Sequence, residues 1–141
     1  MILYCDTSAL VKRYVREAHT EAVLAAWRDA VQVASSEVAC AECLAALARR
    51  RRAGDLGERD HERVRSRFLD DFRAMVRVPV GDAVNRLVAR LVLEHPLRGF
   101  DAIHLASALL IKEHVRGKVV FACYDQVLAQ SARAVGLRVL E

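Results

Sequence analysis

No run of eighteen apolar residues occurs anywhere in the 141-residue chain, so no helix is expected to cross a membrane. The opening "MILYC" reads as a strand and lacks the basic segment and long apolar stretch of a secretory leader, which points to a cytoplasmic protein. Repeats, linkers and low-complexity segments are missing as well, so residues 1–141 are expected to form one domain. Apolar residues make up 54% of the chain, enough for a core without disulfides or a structural metal. Cysteine is sparse: Cys5, Cys40, Cys43 and Cys123. Cys40 and Cys43 form a CxxC, but it lies one helical turn apart inside an Ala/Leu-rich run, and zinc needs four ligands. These thiols are expected to pack as small apolar groups, unpaired in a reducing compartment. Lysine is nearly absent, with 3 Lys against 19 Arg, at a net charge of +4 and a pI near 9.1. An arginine-dominated positive charge favours nucleic acid or an acidic protein as partner. Ordinary surface charge explains composition alone equally well.

What is present alternates between short apolar strands and helices. "ILYC" is a strand, followed by the helix "TSALVKRYV" with Asp6 or Thr7 as its cap. "HTEAVLAAWRDA" has a helical apolar face, and "VQVA" is a second short strand. A long helix is expected from Ser35 or Ser36 to about Arg52, stopped by "AGDLG". The charged helix "ERDHERVRSRFLDDFRAM" places Val64, Phe68 and Phe72 on one face, for the core or for an interface. "VRVPV" reads as an edge strand because of its proline. The helices "GDAVNRLVARLVLEH" and "FDAIHLASALLIKEH" follow, then the strand "KVVFAC", the helix "DQVLAQSARAV" and the strand "LRVL". Strands separated by helices imply a three-layer α/β/α fold around a short parallel sheet. In such folds the working site lies beyond the carboxyl ends of the strands.

Four acids stand apart from the rest of the charge. Asp6 is the only charged side chain in residues 1–11, Glu42 in 38–48, Asp101 in 99–111 and Asp125 in 119–132. An unpaired carboxylate in an apolar interior costs several kcal/mol. A proton, a distant arginine or a shared divalent cation must compensate, and oxygen-only donors suit Mg²⁺ or Mn²⁺. Asp6 and Asp125 follow strands, and Asp101 opens a helix, where the helix dipole favours an anion. Each of these three has an alternative use as a helix N-cap, as Asp82 does. Glu42 lies mid-helix, where capping does not apply; its alternative is an ion pair with a distant arginine.

Around these acids the chain resembles the PIN-domain family, in particular the VapC-type toxins of bacterial toxin–antitoxin pairs. "YCDTSALVKRYVRE" resembles the family's first Asp segment, "SSEVACAECLAALARR" the Glu segment, "FDAIHLASAL" the central Asp segment, and "VVFACYDQVLAQSARAVGLRVL" the closing one. The four occur in order across essentially the whole chain. The resemblance implies an endoribonuclease dependent on Mg²⁺ or Mn²⁺, with Asp6, Glu42, Asp101 and Asp125 as catalytic and metal-binding residues and Thr7 and Ser8 in support. It also implies a VapB-type antitoxin partner and a homodimer. One departure stands before the last acid, where Ala122-Cys123-Tyr124 replaces the Thr or Ser often found there.

His104 follows Asp101 by three residues on the same helix face, as a proton relay, a supporting group or a packing histidine. Lys12, Arg13, Arg49 and Arg50 are candidate RNA-phosphate contacts, with "RRRR" at residues 49–52 equally suited to a solvated helix end. A haloacid-type phosphatase needs a second Asp two residues after the first, where Ser8 stands. A non-catalytic RNA- or protein-binding module that keeps the fold is the remaining alternative.

Overall fold

The computed structural model describes residues 1–140. Its elements are β1 (Ile2–Cys5), α1 (Thr7–Tyr14), α2 (Thr20–Asp29), β2 (Gln32–Ser36), α3 (Val38–Arg52), α4 (Glu58–Ala74), β3 (Val76–Val78), α5 (Asp82–Glu94), α6 (Gly99–His114), β4 (Val119–Ala122), α7 (Gln126–Ala134) and β5 (Arg138–Leu140). The strands form one sheet in the order β3-β2-β1-β4-β5, and every pairing is parallel. The strand holding "VRV" lies at the edge, where the following Pro79 interrupts no central ladder.

Side chains along β1 alternate between two apolar clusters, and this alternation produces the three layers. Leu3 and Cys5 pack with α1, α2, α3 and α4 on one face, together with Val33 of β2 and Val120 of β4. Tyr4 points to the other face and packs with Ala34, Phe121 and residues of α5, α6 and α7. Val64, Phe68 and Phe72 are buried in the first cluster, so this face of α4 belongs to the core and is not an interface. Cys5, Cys43 and Cys123 are buried free thiols, and burial pushes Cys43 up to about 12, as expected for packing groups.

One boundary differs from the sequence reading. Ser35 and Ser36 were expected to open the third helix, yet they extend β2 and are fully buried. Their backbones pair with Arg77 and Val78 of β3, and Ser35 Oγ donates to the Cys5 carbonyl at 2.7 Å. Ser36 Oγ then accepts the Val38 amide at 3.2 Å and starts α3 from outside it. Cross-strand pairing, which is not visible locally, overrides the capping preference of serine.

Candidate active site

The center of the site is the junction of β1 and α1. The Asp6 amide donates to the Ala122 carbonyl at 3.0 Å, tying the carboxyl ends of β1 and β4 together. Asp6 caps α1, and its Oδ1 accepts both the Ala9 amide at 2.9 Å and Ser8 Oγ at 2.7 Å. Ser8 Oγ also accepts the Tyr124 amide at 3.1 Å, so one hydroxyl links Asp6 to the loop that carries Asp125. Capping and site membership are therefore compatible uses of Asp6. Its side chain is buried, and that burial raises its pKa above the ordinary carboxylate value. His104 and the two hydrogen bonds oppose the rise, and the charge of Asp101 adds to it.

Glu42 projects from the middle of α3 and is half-buried. Its Oε1 accepts Thr7 Oγ1 at 2.8 Å and lies 2.8 Å from His104 Nε2. Burial alone would raise its pKa, but the His104 and Thr7 hydrogen bonds outweigh burial and lower it. Glu42 is thus an ionised carboxylate at neutral pH. No guanidinium engages it among the described residues, which leaves its expected alternative partner without support.

Asp101 lies in the first turn of α6 and shares a cleft of about 540 Å³ with Glu42, Arg98, Phe100 and Ile103. Arg98 Nε approaches Asp101 Oδ2 at 3.4 Å while its side chain is 85% exposed, a loose contact rather than a buried pair. Asp125 caps α7, accepting the Leu128 amide at 2.9 Å, and lines a second cleft of about 440 Å³ with His19, Tyr124 and Gln126. Cys123, just after β4 and before Tyr124 and Asp125, is buried: burial first, then the charges of Asp6 and Asp125, push its thiol up to about 12, with Arg133 opposing the rise and Asp101 adding to it. Three acids distant in the chain therefore act on one buried atom.

The acids converge at electrostatic rather than ligand range. Among the described residues, no three His, Cys, Asp or Glu side chains stand close enough to hold a metal ion as they are. The donor chemistry nevertheless suits a hard cation: every acid is an oxygen donor, and Asp6 is buried without a cationic side chain bonded to it. The hydrogen bonds of Asp6 end on Oδ1 and those of Glu42 on Oε1, so each keeps its second oxygen for a further ligand.

The candidate phosphate contacts divide. Lys12 is buried and bonded to Glu17 at 2.8 Å, and Arg50 pairs with the same Glu17 and with Asp55 at 3.6 Å. Through Glu17 these two cations link α1 to α3, Lys12 buried and Arg50 about a third exposed. Arg13 lies over the Trp27 ring at 5.1 Å, and Arg49 is exposed. Two contributors escaped the sequence reading. Arg98 stands beside Asp101, and Tyr4 contacts His104 Nδ1 at 2.9 Å. Tyr4 lies within an apolar strand, where no local pattern marks a hydroxyl partner a hundred residues away.

A model of the PIN domain family matches residues 3–136. The chain is 36% identical over 139 residues to "Ribonuclease VapC45" of Mycobacterium tuberculosis (strain CDC 1551 / Oshkosh), covering 98% of this chain and 94% of that protein. Among solved structures it resembles FitAcB from Neisseria gonorrhoeae, with a TM-score of 0.70, 18% identity and coverage of 100% of this chain and 97% of that one. It also resembles a toxin–antitoxin complex from Klebsiella pneumoniae, with a TM-score of 0.66, 18% identity and coverage of 92% and 91%. At these identities the two structures bear on the fold alone.

Proposed function

The chain belongs to the PIN domain family, and on that premise we propose that it is an endoribonuclease using Mg²⁺ or Mn²⁺, the toxin of a toxin–antitoxin pair. The observation that carries this reading is the set of bonds joining Asp6 to its neighbours: its amide ties the carboxyl ends of β1 and β4, Ser8 links its carboxylate to the loop that carries Asp125, and Thr7 beside it holds Glu42, which shares a cleft with Asp101. The charge of Asp101 adds to the burial that raises the pKa of Asp6, and such repulsion at a sheet's working edge costs stability.

Asp6, Asp101 and Asp125 would hold the cation, with Glu42 beside them. When bound, a divalent cation supplies charge compensation at the scissile phosphate and makes a neighbouring water more acidic. Asp6 is oriented by Ser8 and Ala9 through one oxygen, which aims the other without freezing out a second ligand. Glu42, kept ionised by His104 and Thr7, orients the attacking water and takes its proton. Arg98, exposed at the mouth of the Glu42–Asp101 cleft, meets a phosphate oxygen of the RNA. Arg49 at the end of α3 and Arg13 on α1 extend that contact, whereas Lys12 and Arg50 serve packing.

An antitoxin partner accords with the similar toxin–antitoxin complex from Klebsiella pneumoniae, while its VapB type and a homodimer rest on the family resemblance. No helix among the described residues is long and apolar enough to cross a membrane. The test is cleavage of total RNA with Mg²⁺ or Mn²⁺ and with EDTA, using wild type and Asp101→Asn. Cation-dependent cleavage lost in the variant is expected. RNA binding with no cleavage under any condition would return the chain to the class of non-catalytic modules.

A further inference from the structure

Behind Glu42 runs a chain of polar groups that begins in the core. Tyr4 on β1 is fully buried, and His104 on α6 is only 3% exposed. Tyr4 Oη is 2.9 Å from His104 Nδ1, and His104 Nε2 is 2.8 Å from Glu42 Oε1. Thr7 Oγ1 donates to that same Oε1 at 2.8 Å and lies 3.4 Å from His104 Nε2. The Tyr4 ring is itself fixed, stacked on Phe121 at 5.4 Å and 16° and set edge-on to His104 at 6.0 Å.

The protons in this chain follow from its acceptors. A ring nitrogen without hydrogen cannot stand 2.8 Å from an ionised carboxylate oxygen, because two lone pairs would face each other. Nε2 therefore carries a proton and donates to Glu42. Tyr4 Oη stands 2.9 Å from the ring's other nitrogen, Nδ1, and holds the imidazole from the opposite side. The two serines near Tyr4 do not compete as donors. Ser107 Oγ donates to the Ile103 carbonyl at 2.7 Å, and Ser35 Oγ to the Cys5 carbonyl at 2.7 Å.

We propose that Tyr4 and His104 are positioning residues: Tyr4 holds the imidazole by Nδ1, and His104, with Thr7, clamps Glu42 by Oε1 so that Oε2 is presented to the reaction. A glutamate on a helix has several freely rotating bonds, and two donors converging on one oxygen select a single orientation. The consequence for rate rests on the ribonuclease reading; the arrangement of bonds does not.

Two measurements test the clamp separately. Nitrogen-15 NMR of histidine-labelled protein should show a proton on His104 Nε2, and Tyr4→Phe should move the Nδ1 resonance toward its unbonded position. With Mn²⁺ and RNA, folded Tyr4→Phe and His104→Leu should lose about 10–100-fold in kcat at unchanged KM. His104→Gln, whose amide can still donate to Oε1, should recover most of that loss, which a purely space-filling histidine would not allow. Thermal melting confirms folding, and Tyr4→Phe, which removes one oxygen, carries the test if His104→Leu does not fold. A bare Nε2, or wild-type kcat in folded Tyr4→Phe, overturns the proposal. If wild type cleaves no RNA, the ribonuclease reading fails, and the NMR result alone upholds or overturns the clamp.

Discussion

Replacing Asp6 with asparagine should stabilise the protein while ending its chemistry. The Asp6 side chain is buried and caps α1 through Oδ1, which accepts Ser8 Oγ and the Ala9 amide. Asparagine caps a helix as well as aspartate and offers an oxygen in the same place. What changes is the charge. Two charge-assisted hydrogen bonds become neutral ones, a loss of about 1 kcal/mol each. Against that, a carboxylate with an effective burial penalty of several kcal/mol is removed, together with its repulsion from Asp101. The net gain should be about 1–3 kcal/mol, or roughly 3–8 °C in Tm for a chain of this length.

The pH dependence gives this prediction a second handle. Because burial raises the pKa of Asp6 in the folded state above the ordinary 3.8, the penalty is complete where both states are ionised. As pH falls through the folded-state pKa, native Asp6 takes up its proton before the unfolded chain does, and the penalty shrinks. Below the unfolded value it is gone. Calorimetry of wild type and Asp6→Asn in EDTA should therefore show the largest difference at neutral pH, shrinking through pH ~4 and nearly absent below pH ~3. An asparagine variant that melts lower at neutral pH, or by the same increment at every pH, would refute the reasoning. Adding Mg²⁺ should raise the Tm of wild type and leave the variant unmoved.

Arg98→Ala should raise KM for RNA and flatten its salt dependence by about one unit of slope with little change in fold stability, read from binding isotherms at several salt concentrations. Glu17→Gln should destabilise by about 1–3 kcal/mol in urea, more than Lys12→Met, because Glu17 pairs with both Lys12 and Arg50. Lys12→Met should leave RNA affinity unchanged, and a loss would return Lys12 to the phosphate contacts. Phe68→Ala, at a side chain with no exposed surface, should cost about 3–5 kcal/mol in the same titration.

The layered fold was legible because its cause is local: short apolar strands alternate with helices whose faces repeat every turn, and that pattern admits few arrangements. The acids were legible for a related reason, since an isolated charge in an apolar run contradicts its surroundings. The partners of those acids were not legible. Thr7 meets Glu42 and Tyr4 meets His104 only because β1, α3 and α6 pack together. The fates of the basic residues were hidden in the same way. Nothing around Lys12 or Arg50 in the chain says that both converge on Glu17. Ser35 and Ser36 read as a helix start until β3 pairs with them.

Crystals soaked with Mn²⁺ and measured at its absorption edge test the central claim most directly. An anomalous peak within about 2.0–2.3 Å of carboxylate oxygens of Asp6, Asp101 and Asp125 is the predicted result. A peak bound elsewhere, with those three acids unmoved and RNA still cleaved, would contradict it.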